Sequence, residues 1–157
     1  MIDFHWIRPI WQRWERLNDL AAHLFSLVIR LYLFRVFAQS GWLKLSSWDS
    51  TLYLFREEYH VPVLPPEFAA TLATAGELIL PSILLIGFAH RFAAPGLFIL
   101  NLVAVLSYPD LGPVEIKDHV LWGSLIAVVW FHGTGALSLD GWLTRRARCR
   151  PMPIQDA

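Results

Sequence analysis

Four long apolar stretches limit what this chain can fold into. They run roughly over residues 20–43, 67–89, 92–108 and 116–137, and each is about 17–24 residues long. At about 1.5 Å per residue these stretches span about 26–36 Å as helices, which suits a hydrocarbon core of about 30 Å. The pattern predicts an all-α integral membrane protein that is a bundle of four transmembrane helices.

The composition agrees with a membrane protein and argues against other classes. Of the 157 residues, 55% are hydrophobic and 17% are charged, whereas an average soluble domain has about 25% charged residues. A formal net charge of zero argues against nucleic acid as a partner. The single cysteine, Cys149, excludes a dithiol centre within the chain, so any redox chemistry would need a cofactor or a partner protein.

The segments that flank the apolar stretches are amphipathic or basic. In residues 1–18, tryptophan and aliphatic side chains recur at helical spacing opposite three arginines. This pattern predicts an amphipathic helix in the membrane interface, with a helix docked on the protein's own end as the alternative. The segment is too charged for a signal peptide, so we expect insertion without cleavage. Residues 19–143 then form the membrane domain and residues 144–157 a basic tail.

Lysine and arginine are unevenly distributed between the connections. The N-terminal segment, the second connection and the tail together have eight, whereas the first and third connections have three. The positive-inside rule therefore predicts a multi-pass protein of the bacterial inner membrane with both termini in the cytoplasm. In the outer connection 45–66, Ser46 and Asp49 resemble a capping box, and apolar residues follow at helical spacing. We expect a short amphipathic helix there, over the outer mouth of the bundle.

Ionisable residues inside the apolar stretches are the strongest functional signal, because a charge in hydrocarbon is costly. Arg30 and Arg35 lie in the first stretch and Glu77 in the second. If these two helices end at the same outer level, Glu77 lies between the two arginines in depth. This predicts a cluster of Arg30, Arg35 and Glu77, joined by Asn101 of the third stretch. The surplus positive charge would be balanced by an anion, a quinone head, water or lipid headgroups; alternatively, the network only fixes helix register.

A second polar group is expected at the outer surface. Lys44 ends the first stretch and Asp118 begins the fourth, which predicts an ion pair between them. Other side chains of the types that bind divalent metals or partners lie nearby, namely Glu57, Glu58, His60 and His119. The alternative is that these groups are only solvated.

Two histidines, His23 and His132, are expected at matching depth near the inner ends of their helices. Such a pair is what a b-type haem requires. Histidine is also common at membrane interfaces, however, and nothing else in the sequence signals a haem pocket, so we do not expect haem. The sequence has no nucleotide-binding or hydrolase motif.

Three motifs occur together in this chain: "IRLYLFRVFAQSGWLKL", "GELILPSILLIGFAHRFAA" and "IKDHVLWGSLIAVV". In their order and spacing, residues 24–143 resemble the DoxX family of small bacterial membrane proteins. The resemblance implies a four-helix protein related to the membrane subunit of thiosulfate:quinone oxidoreductase, or part of a redox or thiol-stress complex. The variant also looks like members encoded beside proteins that modify or export metal-binding peptides. The family pattern falls on Arg30, Gly41, Lys44, Glu77, Gly87 and Arg91, and it assigns none of them a catalytic role.

Two functional hypotheses follow from the residues and the resemblance. In the first, the protein is a membrane subunit that binds a quinone or a similar amphiphile and supports a redox or stress-response complex. The charged cluster would then hold the polar head, with ring contacts from Trp42, Trp122 and Tyr108. In the second, it is a non-catalytic scaffold or accessory for metal or peptide handling at the outer mouth. The expected partners are the lipid bilayer and a membrane or periplasmic redox or metal-handling protein.

Overall fold

The computed structural model describes residues 8–135 and 137–148. All regular structure in this part of the chain is helical, as predicted, and no strand occurs in it. The six helices are α1 (Arg8–Ser46), α2 (Trp48–Glu57), α3 (Pro66–Ile86), α4 (His90–Ser107), α5 (Pro113–His132) and α6 (Leu139–Arg148).

The first helix is much longer than one membrane crossing. It has 39 residues and runs without a break past residue 18, where the sequence analysis placed a boundary between two helices. The interfacial position of its first turns remains a prediction. Residues 1–7 of that segment and residues 149–157 of the basic tail lie outside the described residues.

Three of the described helices, α1, α3 and α4, are long and apolar enough to cross a membrane. Helix α5 has 20 residues, but its first turns carry Glu115, Lys117 and Asp118. A membrane-embedded helical protein is therefore confirmed, whereas α5 as a fourth crossing remains a prediction.

The long helices pack side by side around one apolar core. Helix α1 packs on α3, α3 on α4 and α4 on α5, and α5 returns to α1. Fully buried aliphatic residues from all four helices fill the centre, namely Leu33, Leu84, Leu97, Ile126 and Val129. Large apolar side chains on the outside, such as Phe92 and Phe131, are about four-fifths exposed, at 81% and 78%. Such a surface suits contact with lipid, where apolar groups need no burial.

The two ends of the bundle differ, and we name each after its short helix. At the α2 end, α1 and α4 finish and α3 and α5 begin; at the α6 end, the reverse holds. Helix α2 lies in the segment where a short helix was expected. Thr51 Oγ1 donates to Lys44 O at 3.0 Å, and Arg56 Nη2 to Glu67 Oε1 at 2.6 Å. These bonds hold α2 against both α1 and α3.

Close approach of α1 and α3 depends on a glycine. A Cβ at Gly41 would lie 3.0 Å from Glu77 Cβ and 2.9 Å from Leu78 Cγ. Because real Cβ atoms rarely tolerate such distances, only glycine lets the helices meet here without a shift. Gly87 has a different role: it ends α3 with φ 71°, in the left-handed region that favours glycine.

Arg30 is completely buried at the α6 end, and backbone carbonyls surround its guanidinium. Nη1 donates to Leu85 O at 2.8 Å and Nη2 to Leu137 O at 2.6 Å. Leu85 belongs to the last turn of α3, where carbonyls lack helical partners and the helix dipole is negative. The predicted contact between Arg30 and Glu77 is therefore wrong, because the end of a helix, and not a carboxylate, binds this arginine.

Asp140 of α6 joins the same end of the bundle. Its carboxylate accepts hydrogen bonds from the backbone N–H of Ala89 at 3.2 Å and from His90 Nδ1 at 2.8 Å, while its own N–H donates to Gly87 O at 3.0 Å. Burial raises the pKa of the Asp140 carboxyl, but the hydrogen bonds from His90 and from the backbone outweigh it, and the pKa falls below its usual value. The α6 end is thus closed by polar contacts.

We predict that Arg30→Met lowers the free energy of unfolding by about 2–4 kcal/mol, because two buried carbonyls lose their donors. Arg35→Met is the matched control: Arg35 is exposed on the same helix without a partner among the described residues, so we expect no loss of stability from its replacement. Thermal unfolding of both variants in detergent micelles measures the difference. Equal losses from the two substitutions would contradict the role given to the Leu85 and Leu137 carbonyls.

Candidate functional site

The counter-charge of Glu77 is Lys44. Lys44 Nζ lies 2.7 Å from Glu77 Oε2 and 2.8 Å from Oε1, and it also donates to Ser40 Oγ at 2.8 Å. The side chains of Lys44 and Glu77 are only 16% and 9% exposed. Gly41 places the Glu77 backbone against α1, and Lys44 lies one helical turn further along, so its ammonium group reaches the carboxylate.

The predicted cluster of Arg30, Arg35 and Glu77 does not form, and the depth estimate explains the error. Glu77 lies eleven residues from the start of α3, yet it contacts Gly41, which is only five residues from the end of α1. Helix α3 therefore extends about 9 Å beyond α1 at the α2 end. Arg35 is exposed on α1 and makes no hydrogen bond or ion pair with any described residue.

Asn101, the fourth member of the predicted cluster, binds α5 instead. His119 Nδ1 donates to Asn101 Oδ1 at 2.8 Å, and Asn101 Nδ2 donates to His119 O at 3.0 Å. Trp122 packs edge-on against the His119 ring at 4.8 Å, and its Nε1 donates to Tyr32 OH at 3.2 Å. This polar chain ties α4 to α5 and α5 to α1 within the bundle.

The predicted pair of Lys44 and Asp118 is also absent, because Lys44 is bound to Glu77 and Asp118 is exposed. The other outer residues do not converge either. Glu57 is exposed, and Glu58 accepts a hydrogen bond from Tyr108 OH at 2.9 Å. His60 Nδ1 donates to Glu58 O at 3.1 Å. Within residues 8–135 and 137–148, no three His, Cys, Asp or Glu side chains are arranged to hold a metal ion.

The two histidines considered for haem lie at the α6 end. His132 Nδ1 donates to Val128 O at 3.2 Å, and His132 lines a cavity of about 280 Å³ together with Phe25 and Ser26. His23 lies against Gly135. Haem ligation by this pair stays the less favoured alternative to two ordinary interfacial histidines.

A second cavity, of about 250 Å³, lies at the α2 end between α1, α3 and α4, and it contains the Lys44–Glu77 pair. Its walls are mostly aliphatic side chains of α3 and α4. Three of these, Leu72, Ile99 and Val103, are also 48%, 59% and 36% exposed on the outside of the helices. The cavity is thus lined by residues that also face the lipid side of the α3–α4 pair.

Aromatic side chains cover the cavity at the α2 end. Phe55 of α2 stacks on Tyr59 at 4.7 Å, and Tyr59 packs on Tyr108 at 5.1 Å. Burial, and next the nearby Glu77 carboxylate, raise the pKa of Tyr59, so its phenol stays protonated. The Tyr59 hydroxyl makes no hydrogen bond to the described part of the chain.

Ser107 contributes an unpaired hydroxyl to this cavity. The residue is 1% exposed, and its Oγ has no hydrogen-bond partner among the described residues. Its backbone O, by contrast, accepts a hydrogen bond from the N–H of His60 at 2.8 Å. A buried hydroxyl without a partner costs free energy, so the cavity has an unmet polar contact. Nothing in the sequence signals this role, because Ser107 reads there only as the end of an apolar stretch.

A comparison with family models finds a match to DoxX over residues 25–109, which is more than half of the chain. No curated protein and no solved structure matches the chain. The matched region runs from α1 through α4 and so contains all three helices that form the cavity. Five of the six residues on which the DoxX pattern falls meet in two places: Arg30 with Gly87, and Gly41 and Lys44 with Glu77.

We predict that Lys44→Met destabilises the protein by about 3–5 kcal/mol, because it leaves the Glu77 carboxylate buried without a cation. The double variant Lys44→Met/Glu77→Leu removes both charges and should recover most of that loss. Unfolding of the single and double variants in the same detergent tests this coupling. A double variant as unstable as Lys44→Met would show that the loss does not come from the unpaired Glu77 carboxylate.

Proposed function

Because the chain belongs to the DoxX family of membrane proteins, we propose that it binds a quinone or a similar amphiphile in the cavity at the α2 end and serves as the membrane subunit of a redox or stress-response complex. The observation that carries this proposal is the cavity itself. It combines a buried ion pair and an unpaired hydroxyl with aliphatic walls. Ligand sites commonly have this composition, with few polar groups in an apolar pocket.

The dimensions of the cavity favour an amphiphile over a wholly enclosed ligand. Its volume of about 250 Å³ is slightly below the range of about 300–1,000 Å³ for drug-sized ligands. A single ring fits in this space, whereas a long hydrocarbon tail does not. The exposed flanks of Leu72, Ile99 and Val103 give such a tail a route between α3 and α4 into the bilayer.

The polar head would contact different residues from those that the sequence predicted. The arginines are unsuitable, because carbonyls hold Arg30 and Arg35 is exposed on the outside of α1. Lys44 and Glu77 take their place. Of the predicted aromatic contacts, Tyr108 packs on Tyr59, which lines the cavity. Trp42, by contrast, is 66% exposed, and Trp122 packs on His119.

A role as a subunit of a larger complex agrees with the single cysteine of the chain. With a single cysteine, the protein has no dithiol with which to reduce a quinone. In this proposal the chain holds the amphiphile, and a membrane or periplasmic partner protein supplies the electrons.

We predict that filling the cavity abolishes binding of the amphiphile. Ala104 lines the cavity, and Ala104→Phe should weaken the retention of a decyl-substituted benzoquinone by about tenfold or more, in either oxidation state. Leu102→Phe on the exposed side of α4 is the control and should bind normally. The measurement is ligand content after purification in nanodiscs, by extraction and chromatography. Absence of binding to the wild-type chain in both oxidation states would refute the proposed function.

We further propose that α5 is a fourth membrane crossing, so that the chain before α1 and the chain after α5 lie on the cytoplasmic side of a bacterial inner membrane. The eight basic residues at that end support this orientation against three at the other. The single cysteine provides the test.

We predict that a membrane-impermeant maleimide leaves Cys149 unlabelled in intact spheroplasts and labels it after permeabilisation. Asp110→Cys, combined with Cys149→Ser, places the only thiol in the connection between α4 and α5. This control variant should react from outside. Labelling of Cys149 in intact spheroplasts would reverse the orientation or remove the fourth crossing.

A further inference from the structure

The ammonium group of Lys44 has no hydrogen-bond donor left for a ligand. An ammonium carries three N–H donors. In this structure they go to Ser40 Oγ at 2.8 Å, Glu77 Oε1 at 2.8 Å and Glu77 Oε2 at 2.7 Å. Lys44 lines the cavity, but a ligand that only accepts hydrogen bonds finds no free donor on it.

Glu77, in contrast to Lys44, has hydrogen-bond acceptor sites that remain unused. An ionised carboxylate offers about four lone-pair sites, and Lys44 is the one described side chain that donates to this carboxylate, with one bond to each oxygen. Glu77 lines the cavity and is 7% exposed. At the polar end of the cavity, Glu77 therefore offers free acceptor sites, whereas the Lys44 ammonium offers no free donor.

The ion pair also limits the charge of the head group that the cavity can bind. Lys44 and Glu77 neutralise each other, and the other polar groups of the cavity are the uncharged hydroxyls of Tyr59 and Ser107. An ionised head would be buried there without a counter-charge, which is unfavourable in an apolar environment. A neutral head is the better match.

From these donors, acceptors and charges we infer that the site selects an amphiphile whose neutral head donates a hydrogen bond to Glu77. The site therefore binds a hydroquinone, which carries hydroxyl groups, in preference to the quinone. The inference rests on the proposed function and specifies its ligand. A quinone carbonyl only accepts, whereas a hydroquinone hydroxyl donates to the carboxylate and can also accept.

The two unpaired hydroxyls of the cavity are compatible with such a head. Ser107 Oγ is buried without a partner, and the Tyr59 hydroxyl makes no hydrogen bond to the described residues. A hydroxyl group can both donate and accept, so each can bond to a second oxygen of the ligand. Glu77 is the group that discriminates, because it can only accept.

Three forms of one ligand test this inference on the full-length chain in nanodiscs. They are a decyl-substituted benzoquinone, its hydroquinone kept reduced under argon, and the dimethyl ether of that hydroquinone. The quinone is the form of matched size without a donor, and the ether keeps the ring and its two oxygens but carries a methyl group in place of each donor hydrogen. We expect the hydroquinone to bind about ten- to a hundredfold more tightly than the other two, the effect of one hydrogen bond to a charged group.

Lys44→Met/Glu77→Leu is the matched variant, and its thermal unfolding is measured in parallel. The preference for the hydroquinone over the ether should disappear in it. Equal or tighter binding of the quinone or the ether to the wild-type chain would overturn the inference, while the amphiphile site would stand. Absence of binding by all three forms would overturn the proposed function together with it.

Discussion

The ion pair between Lys44 and Glu77 is the interaction on which the rest of this structure depends. A carboxylate in the middle of an apolar helix is tolerated only if a cation and hydrogen bonds compensate for its lost hydration. Here Gly41 lets α3 approach α1 until the ammonium of Lys44 reaches both carboxylate oxygens. That contact fixes the register of the two helices, and it places a neutral polar group at the base of an apolar cavity.

Buried charges are compensated in different ways at the two ends of the bundle. At the α6 end, carbonyls of α3 and of the segment before α6 hold Arg30, and Asp140 caps the start of α4. Among the described residues, no buried side-chain polar atom at that end lacks a hydrogen-bond partner. At the α2 end, Ser107 lacks a partner and Glu77 retains free acceptor sites. A closed end gives the bundle its stability, and an incompletely satisfied end is where a ligand gains most by binding.

Particular residues show which features of the structure can be predicted from the sequence and which cannot. The apolar stretches predicted α1, α3 and α4, and the motifs around Arg30 and Glu77 predicted the DoxX family, which is confirmed. The sequence correctly predicts that Glu77 needs a cation. It predicts Arg30 and Arg35 in that role, whereas Lys44 binds the carboxylate in the structure. The predicted cluster requires the end of α1 and the start of α3 to lie at the same outer level, whereas α3 extends about 9 Å beyond the end of α1.

The sequence by itself determined the class of protein, because apolar length and the cost of buried charge depend only on residue type and order. It also determined that the charges of Arg30 and Glu77 must be compensated, whether by protein groups, by water or by lipid headgroups. Only the tertiary structure decided what compensates them, since the choice between Lys44, Arg35 and a helix carbonyl depends on how far one helix slides along another. A shift of about two turns separates these outcomes, and no local pattern of residues encodes such a shift. For the same reason, the unpaired hydroxyl of Ser107 follows only from the tertiary structure, in which the segment after α2 packs on the end of α4 through the hydrogen bond from His60 N–H to Ser107 O.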